Sequence, residues 1–311
     1  MTTSGSQFVS GSGSDWPDGP SLTGVKALVT GAARGVGATT ARRIVELGGT
    51  VVLADINEDG VRATADALAE SAESAERAGP GVAASACVLD VADADSWDAA
   101  VAGAITAMGG LTALVNNAAI LDLGPLETTD PTLIEKLLSV NLLGPTLGVR
   151  AVTPALRDNG GGSIVNIASV AGLEGRNATV AYTASKWGVR GMTKASAMEL
   201  GRYGIRVNAV CPSMGNPDMF VPFLDRFDYD EFARTSAEPA LIIDGKPRDA
   251  DMSDVAVMVT WLLSSVAQVC TGADFVVDAG WTAGLHVAGM PGWQVEHDWR
   301  SRTGTALQSV L

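Results

Sequence analysis

Histidine and cysteine are scarce in this chain of 311 residues. Only two histidines occur, His286 and His297, both near the C-terminus. Acid–base chemistry built on imidazole, or a metal site made of several histidines, has little to draw on. The three cysteines, Cys87, Cys211 and Cys270, show no short spacing. They form neither a disulfide framework nor a zinc motif, and they suit a reducing compartment such as the cytoplasm. Positive charge is also short. Lys and Arg total 21 against 35 Asp and Glu, a net charge of −14. Such a surface repels phosphate backbones and anionic lipid, which argues against nucleic-acid and membrane-surface partners. The N-terminal MTTSGSQFVSGSGSDWPDGPS has no basic start and no apolar run, so it does not read as a secretory signal. Its Gly and Ser predict a flexible tail over residues 1–21, with a docked arm through Phe8 or Trp16 as the alternative.

Apolar residues make up 47% of the chain, enough for a sizeable core. One stretch, from Asp254 to Asp274, carries no charge between those two acids. Its length suggests a membrane span. Thr260, Ser264, Ser265, Gln268, Thr271 and the interrupting Gly272 point instead to a buried helix followed by a core strand.

Short β-rich runs alternate with helical patterns along the chain. Strands are predicted at 25–30, 50–55, 84–91, 111–117, 162–169, 205–210 and 275–280. Helices are predicted after Gly37, over 57–78, from the Asp93 cap to Gly109, over 131–156 and over 182–203. This alternation predicts an α/β fold: a doubly wound, Rossmann-type parallel sheet of about seven strands in one domain, residues 22–285. The segment 213–248 is irregular and long for a structureless loop, as functional loops often are. Residues 286–311 form a C-terminal extension.

Thr30-Gly31-Ala32-Ala33-Arg34-Gly35-Val36-Gly37 joins the first strand to the first helix. Glycines permit a tight turn and close approach to a pyrophosphate, and a helix N-terminus offers free N–H groups. A glycine triplet alone also fits an ordinary strand–helix turn. Asp55, ending the second strand 18 residues after Gly37, strengthens the dinucleotide reading. An acid there accepts hydrogen bonds from the adenosine ribose and repels a 2′-phosphate. Arg34 points the other way, but Ile56 rather than a base follows Asp55, so NAD is favoured. Asp90, with Val91, ends the third strand, either at the adenine edge or as a turn residue. The Asn117 amide is placed to tie neighbouring strands.

Tyr182 and Lys186 stand four apart and share a helix face. Ser169 lies 13 residues earlier, at a strand end, and Asn141 sits inside the preceding helix, where Asn is a mediocre helix former. Ligands bind beyond the carboxyl ends of an open parallel sheet. Each residue alone is unremarkable; the ordered set is not.

That set resembles the short-chain dehydrogenase/reductase superfamily over about Leu22 to Leu285. The motifs are TGxxxGxG at Thr30–Gly37, NNAA at Asn116–Ala119, Asn141, Ser169, YxxxK at Tyr182–Lys186 and VDAG at Val277–Gly280. Within it the chain looks most like NAD-dependent bacterial hydroxysteroid and cyclic-alcohol dehydrogenases. The resemblance implies that Tyr182 is the general acid/base, that Ser169 holds the substrate oxygen, and that Asn141 fixes a proton-relay water. Lys186 would bind the nicotinamide ribose and lower the tyrosine pKa. A phenol of pKa about 10 is a poor base. A cation about 4 Å away at an effective dielectric of about 20 supplies up to ~4 kcal/mol, a depression of up to roughly three units.

One departure stands out. The family has PGxVxT after the sixth strand, where this chain reads Pro212-Ser213-Met214-Gly215-Asn216-Pro217. Pro217 cannot replace the threonine, so the carboxamide contact falls to the Gly215 backbone or the Asn216 side chain. Leu121, Leu173, Met214, Met219, Phe220, Val221 and Phe223 are candidates for an apolar pocket suited to a bulky alicyclic alcohol or ketone. Trp281, Trp293 and Trp299 suggest a tail packed on another subunit or over a pocket. The resemblance further implies a homotetramer packed through helices 131–156 and 182–203. An NADPH-dependent carbonyl reductase is the nearest rival, and a non-catalytic nucleotide-sensing protein is a rival of another class.

Overall fold

In a computed structural model, the structure describes residues 20–74, 83–213, 219–220, 222–223, 241–243 and 246–284. The expectations for residues 1–19, for Gly215 and Asn216, for Met214 and Val221, and for the extension 286–311 lie outside the described residues.

The alternating pattern resolves into β1 (Lys26–Thr30), α1 (Gly35–Glu46), β2 (Thr50–Asp55), α2 (Glu58–Ser74), β3 (Ala84–Val88), α3 (Ala94–Met108) and β4 (Ala113–Asn116). Then follow α4 (Pro131–Leu138), a π-helical turn (Ser139–Leu143), α5 (Gly144–Asp158), β5 (Gly162–Ile167), α6 (Val180–Leu200) and β6 (Ile205–Pro212). A short antiparallel pair, β7 (Ile242–Ile243) and β8 (Lys246–Pro247), lies inside the irregular segment; α7 (Met252–Leu263) and β9 (Asp274–Val277) complete the order. Seven strands form one parallel sheet in the order β3-β2-β1-β4-β5-β6-β9.

Apolar side chains on both faces of each strand explain the uninterrupted hydrophobic runs. One core packs α1, α2 and α7 against the sheet through Val36, Ile44, Val61, Leu68, Val259 and Leu262. The other packs α3, α5 and α6 through Trp97, Val101, Val152, Leu156 and Leu200. Local signals set the helix ends. Asp93 accepts from Asp95 N and Asp130 from Thr132 N, while Asp251 and Asp254 form a reciprocal capping box. Gly109 closes α3 in the left-handed region at φ 65°.

The uncharged stretch is most of α7 and the turn Ser265–Ala267 after it, and β9 begins at Asp274, where the stretch ends. With 12 residues, α7 spans about 18 Å, well short of the ~30 Å of a bilayer core. No helix among the described residues is long and apolar enough to cross a membrane.

The expected helix over 131–156 differs in one respect: it is broken into α4, the π turn and α5. Pro145 lies in the first turn of α5; it stands four residues after Asn141 and has no N–H to donate to the Asn141 carbonyl.

Candidate active site

The chain runs from β1 outward to β3, then returns to place β4 on the other side of β1. At this switch point a cleft of about 1430 Å³ opens beyond the carboxyl ends of the strands. Single drug-sized ligands occupy roughly 300–1,000 Å³, so the cleft has room for a dinucleotide and a second molecule together.

Of the residues read as cofactor contacts, Gly31, Arg34, Val36, Asp55, Asp90, Val91 and Asn117 line this cleft, as do Ser169, Tyr182 and Lys186. Gly35, Gly37 and Asn141 do not. Gly37 serves packing instead. A Cβ there would stand 2.3 Å from Gly31 O and 2.7 Å from Asn117 Nδ2. Gly31 itself sits at φ 63°, where a Cβ would meet Ala118 Cα at 2.7 Å. The Asn117 amide donates to Thr30 O at 2.9 Å and Gly31 O at 3.0 Å, lacing β1 to β4. Thr30, the first residue of the glycine motif, accepts from Asn117 N and Ala118 N through its hydroxyl. Together these contacts fix a side-chain-free cradle where a pyrophosphate would approach the start of α1.

Asp55 is held at the rim of that cradle. Its two carboxylate oxygens accept from Ala33 N and Asn57 N, each at 3.0 Å. Asp90 combines both sequence readings. It lines the cleft, and its Oδ1 accepts from Ala92 N at 2.9 Å as a turn residue.

The chemical groups converge on the far side. Ser169 ends β5, and its Oγ accepts from Ala171 N at 3.1 Å, capping the turn Val170–Gly172. Arg190 braces that turn: Nη1 donates to Gly172 O, while Nη2 donates to Asp274 Oδ2 at 2.8 Å. Tyr182 lies in the first turn of α6, and its phenol hydrogen-bonds Ser169. Lys186, one helical turn on, is 3% exposed. Its Nζ donates to Ile167 O at 2.9 Å and stands 5.5 Å from the Tyr182 ring centre.

Burial pushes the Tyr182 phenol up to about 12, with the Ser169 hydrogen bond pulling in the opposite sense. The same burial pushes Lys186 down to about 8. Its ammonium faces the Ile167 carbonyl as well as the phenol ring. Beneath them the buried Cys211 thiol is pushed up to about 11, again chiefly by burial.

Asn141 is 1% exposed. Its Oδ1 accepts from Ile120 N and its Nδ2 donates to Ile120 O, both at 2.8 Å, with Ser185 Oγ at 3.4 Å. The amide therefore pins the loop after β4 to the helix carrying Tyr182.

Leu121, Met219 and Phe220 line the cleft as expected; Leu173 and Phe223 do not, and Phe223 is buried. Trp281 is a wall of the cleft, in line with the reading that it packs over a pocket. Arg176 and Lys136 also line it. Neither was singled out from the sequence, because a charged residue in a loop or on a helix gives no signal that distinguishes it from a solvated one.

Comparison with known proteins agrees with this geometry. The pattern of the family described as short chain dehydrogenase matches residues 25–226. A 3-alpha-(or 20-beta)-hydroxysteroid dehydrogenase of Mycobacterium bovis is 40% identical over 264 residues, 85% of this chain and 92% of that protein. A trans-4-hydroxycyclohexanecarboxylate dehydrogenase of Sinomonas cyclohexanicum is 39% identical, over 83% of this chain and 93% of that one. The crystal structure of levodione reductase superposes with a TM-score of 0.73 at 31% identity, covering 84% of this chain and 99% of that chain. By sequence pattern, relatives and fold, the chain belongs to the short chain dehydrogenases, a family of oxidoreductases.

Proposed function

We propose that the protein interconverts a bulky alicyclic secondary alcohol and its ketone, with NAD(H) as hydride partner. The observation that carries this reading is the meeting of Ser169, Tyr182 and Lys186 in the cleft that also holds the glycine cradle and Asp55. The relatives named above include a hydroxysteroid and a hydroxycyclohexanecarboxylate dehydrogenase, and the wall of Leu121, Leu123, Leu133, Val140 and Phe220 suits such rings.

Gly31, Val36, Asp55, Asp90, Val91 and Asn117 would hold the dinucleotide, whose nicotinamide supplies hydride transfer when bound. The substrate oxygen sits between Ser169 Oγ and the Tyr182 phenol. In ketone reduction the protonated phenol donates to that oxygen as negative charge develops on it. In alcohol oxidation the phenolate takes the hydroxyl proton, so the phenol must first ionise. The Ser169 hydrogen bond and the nearby Lys186 charge favour that ionised form. Lys186 keeps its position through Ile167 O and is a positioning cation rather than the base.

Asp55, fixed by two backbone N–H groups, supports NAD because a 2′-phosphate would face its charge. Arg34, exposed at the same rim, favours the second reading, NADP(H). Comparing kcat/KM with NAD and NADP over a panel of steroid, terpenoid and small cyclic alcohols tests both. A preference for NAD with at least one ring alcohol supports the first; preference for NADP moves the assignment to the second. We further infer a cytoplasmic homotetramer packed through α4–α5 and α6, where Leu143, Val180 and Trp187 are exposed; unpaired Cys87, Cys211 and Cys270 suit that compartment.

A further inference from the structure

Four cationic side chains line the cleft: Arg34, Lys136, Arg176 and Lys186. Arg34 lies beside the Asp55 rim, Lys186 is buried below Tyr182, and Lys136 is exposed on α4. Arg176 differs from all three, because its head group is held in one orientation inside the substrate half of the cleft.

Its guanidinium carbon stands 4.3 Å from the centre of the Trp281 ring. Trp281 is 9% exposed, and its turn is locked by Asp278. That carboxylate accepts from Gly280 N and Thr282 N at 2.8 Å and from the Thr282 hydroxyl at 2.6 Å. The Arg176 backbone is tied as well: its carbonyl accepts from Thr179 Oγ1 at 2.9 Å, just before α6 and Tyr182 begin. Arg176 Nε and Nη2 both donate to a single oxygen, Oε1 of Glu174, at 3.1 and 2.6 Å. Arginine has five N–H donors in a planar fork. Two are engaged with Glu174, so Nη1 is left for a second acceptor. Glu174 is 43% exposed, and a half-solvated pair of this kind contributes little and rearranges easily.

A planar cation stacked on an indole, with one edge available, is the chemistry that recognises a carboxylate. We propose that Arg176 is a specificity-determining residue that binds an anionic group on the substrate, and that the cleft selects ring alcohols carrying a carboxylate over neutral ones. This rests on the dehydrogenase reading above. Because the guanidinium is stacked before the ligand arrives, little side-chain freedom remains to be lost on binding. Glu174 limits the gain, since its charge repels a second carboxylate.

The test uses the full-length protein with NAD and two isosteric substrates, a cyclohexanol bearing a ring carboxylate and its carboxamide. Wild type is expected to favour the carboxylate about ten-fold in kcat/KM, mainly through KM. Arg176→Met keeps an alkyl chain on Trp281 and should bring the ratio close to one; Arg176→Lys should retain part of it. Glu174→Gln removes the competing charge and should raise the ratio above wild type, a gain that damaged folding cannot mimic. Calorimetry with the non-reacting cyclohexanecarboxylate reads the site without turnover; its binding should be lost in Arg176→Met. Equal ratios in wild type and Arg176→Met, or carboxylate binding unchanged by that substitution, overturn the proposal. Absence of turnover with every alcohol, alongside Arg176-dependent carboxylate binding, overturns the dehydrogenase reading and leaves the anion site standing.

Discussion

At the scale of single residues, burial moves Tyr182 and Lys186 in opposite directions, because it disfavours whichever form of each group is charged. A phenol near 12 is protonated at neutral pH, ready to donate in ketone reduction. Oxidation needs the phenolate, so its rate should rise as pH increases above 7, while reduction should change little until more alkaline pH. Lys186, near 8, carries its charge over the lower part of that range. Lys186→Met removes the cation and should move the rising limb of the oxidation profile to higher pH; an unmoved limb would contradict its electrostatic role. Asp55→Ala should shrink the NAD over NADP preference by about ten-fold or more, equal to at least ~1.4 kcal/mol, measured as a ratio of kcat/KM values. Spacing made most of these groups readable: i and i+4 on a helix for Tyr182 and Lys186, strand ends for Asp55, Asn117 and Ser169. What spacing does not contain is desolvation, which depends on everything packed around the pair. Arg176 went unread because its partner, Trp281, is more than one hundred residues distant in the chain.

At the scale of elements, strands and helices followed from hydrophobic runs and capping residues, with boundaries off by a few positions. The third strand ends at Val88 rather than Val91. The π turn at Ser139–Leu143 is not legible in the hydrophobic pattern. Arg190 shows how one element positions another. It joins α6 to the turn carrying Ser169 and to the start of β9 at Asp274. Burial raises the Asp274 pKa, but the hydrogen bonds from Arg190 and Lys194 outweigh it and hold the carboxyl below its ordinary value. Arg190→Met should loosen the Ser169 turn and lower kcat by about ten-fold, with cofactor KM nearly unchanged, since no cradle contact involves Arg190. A loss confined to cofactor KM would contradict this role.

At the scale of the whole molecule, strand order determines where chemistry can occur. The reversal between β1 and β4 opens the cleft, and every group proposed to act lies at that one edge of the sheet. The exposed apolar positions Leu143, Val180 and Trp187 face away from both cores. Light scattering of the purified chain should give four times the chain mass, and Trp187→Asp should reduce it; a monomer in wild type would contradict the assembly. The central claim is that the Tyr182 phenol transfers the proton while the cradle independently holds the dinucleotide. The most direct measurement is Tyr182→Phe, followed by NADH binding through fluorescence and by turnover of a ring alcohol in the same preparation. General acid–base groups contribute about 10²–10⁴-fold, so turnover should fall by at least ~10² while NADH binds nearly as in wild type. Turnover within a few-fold of wild type would contradict the account.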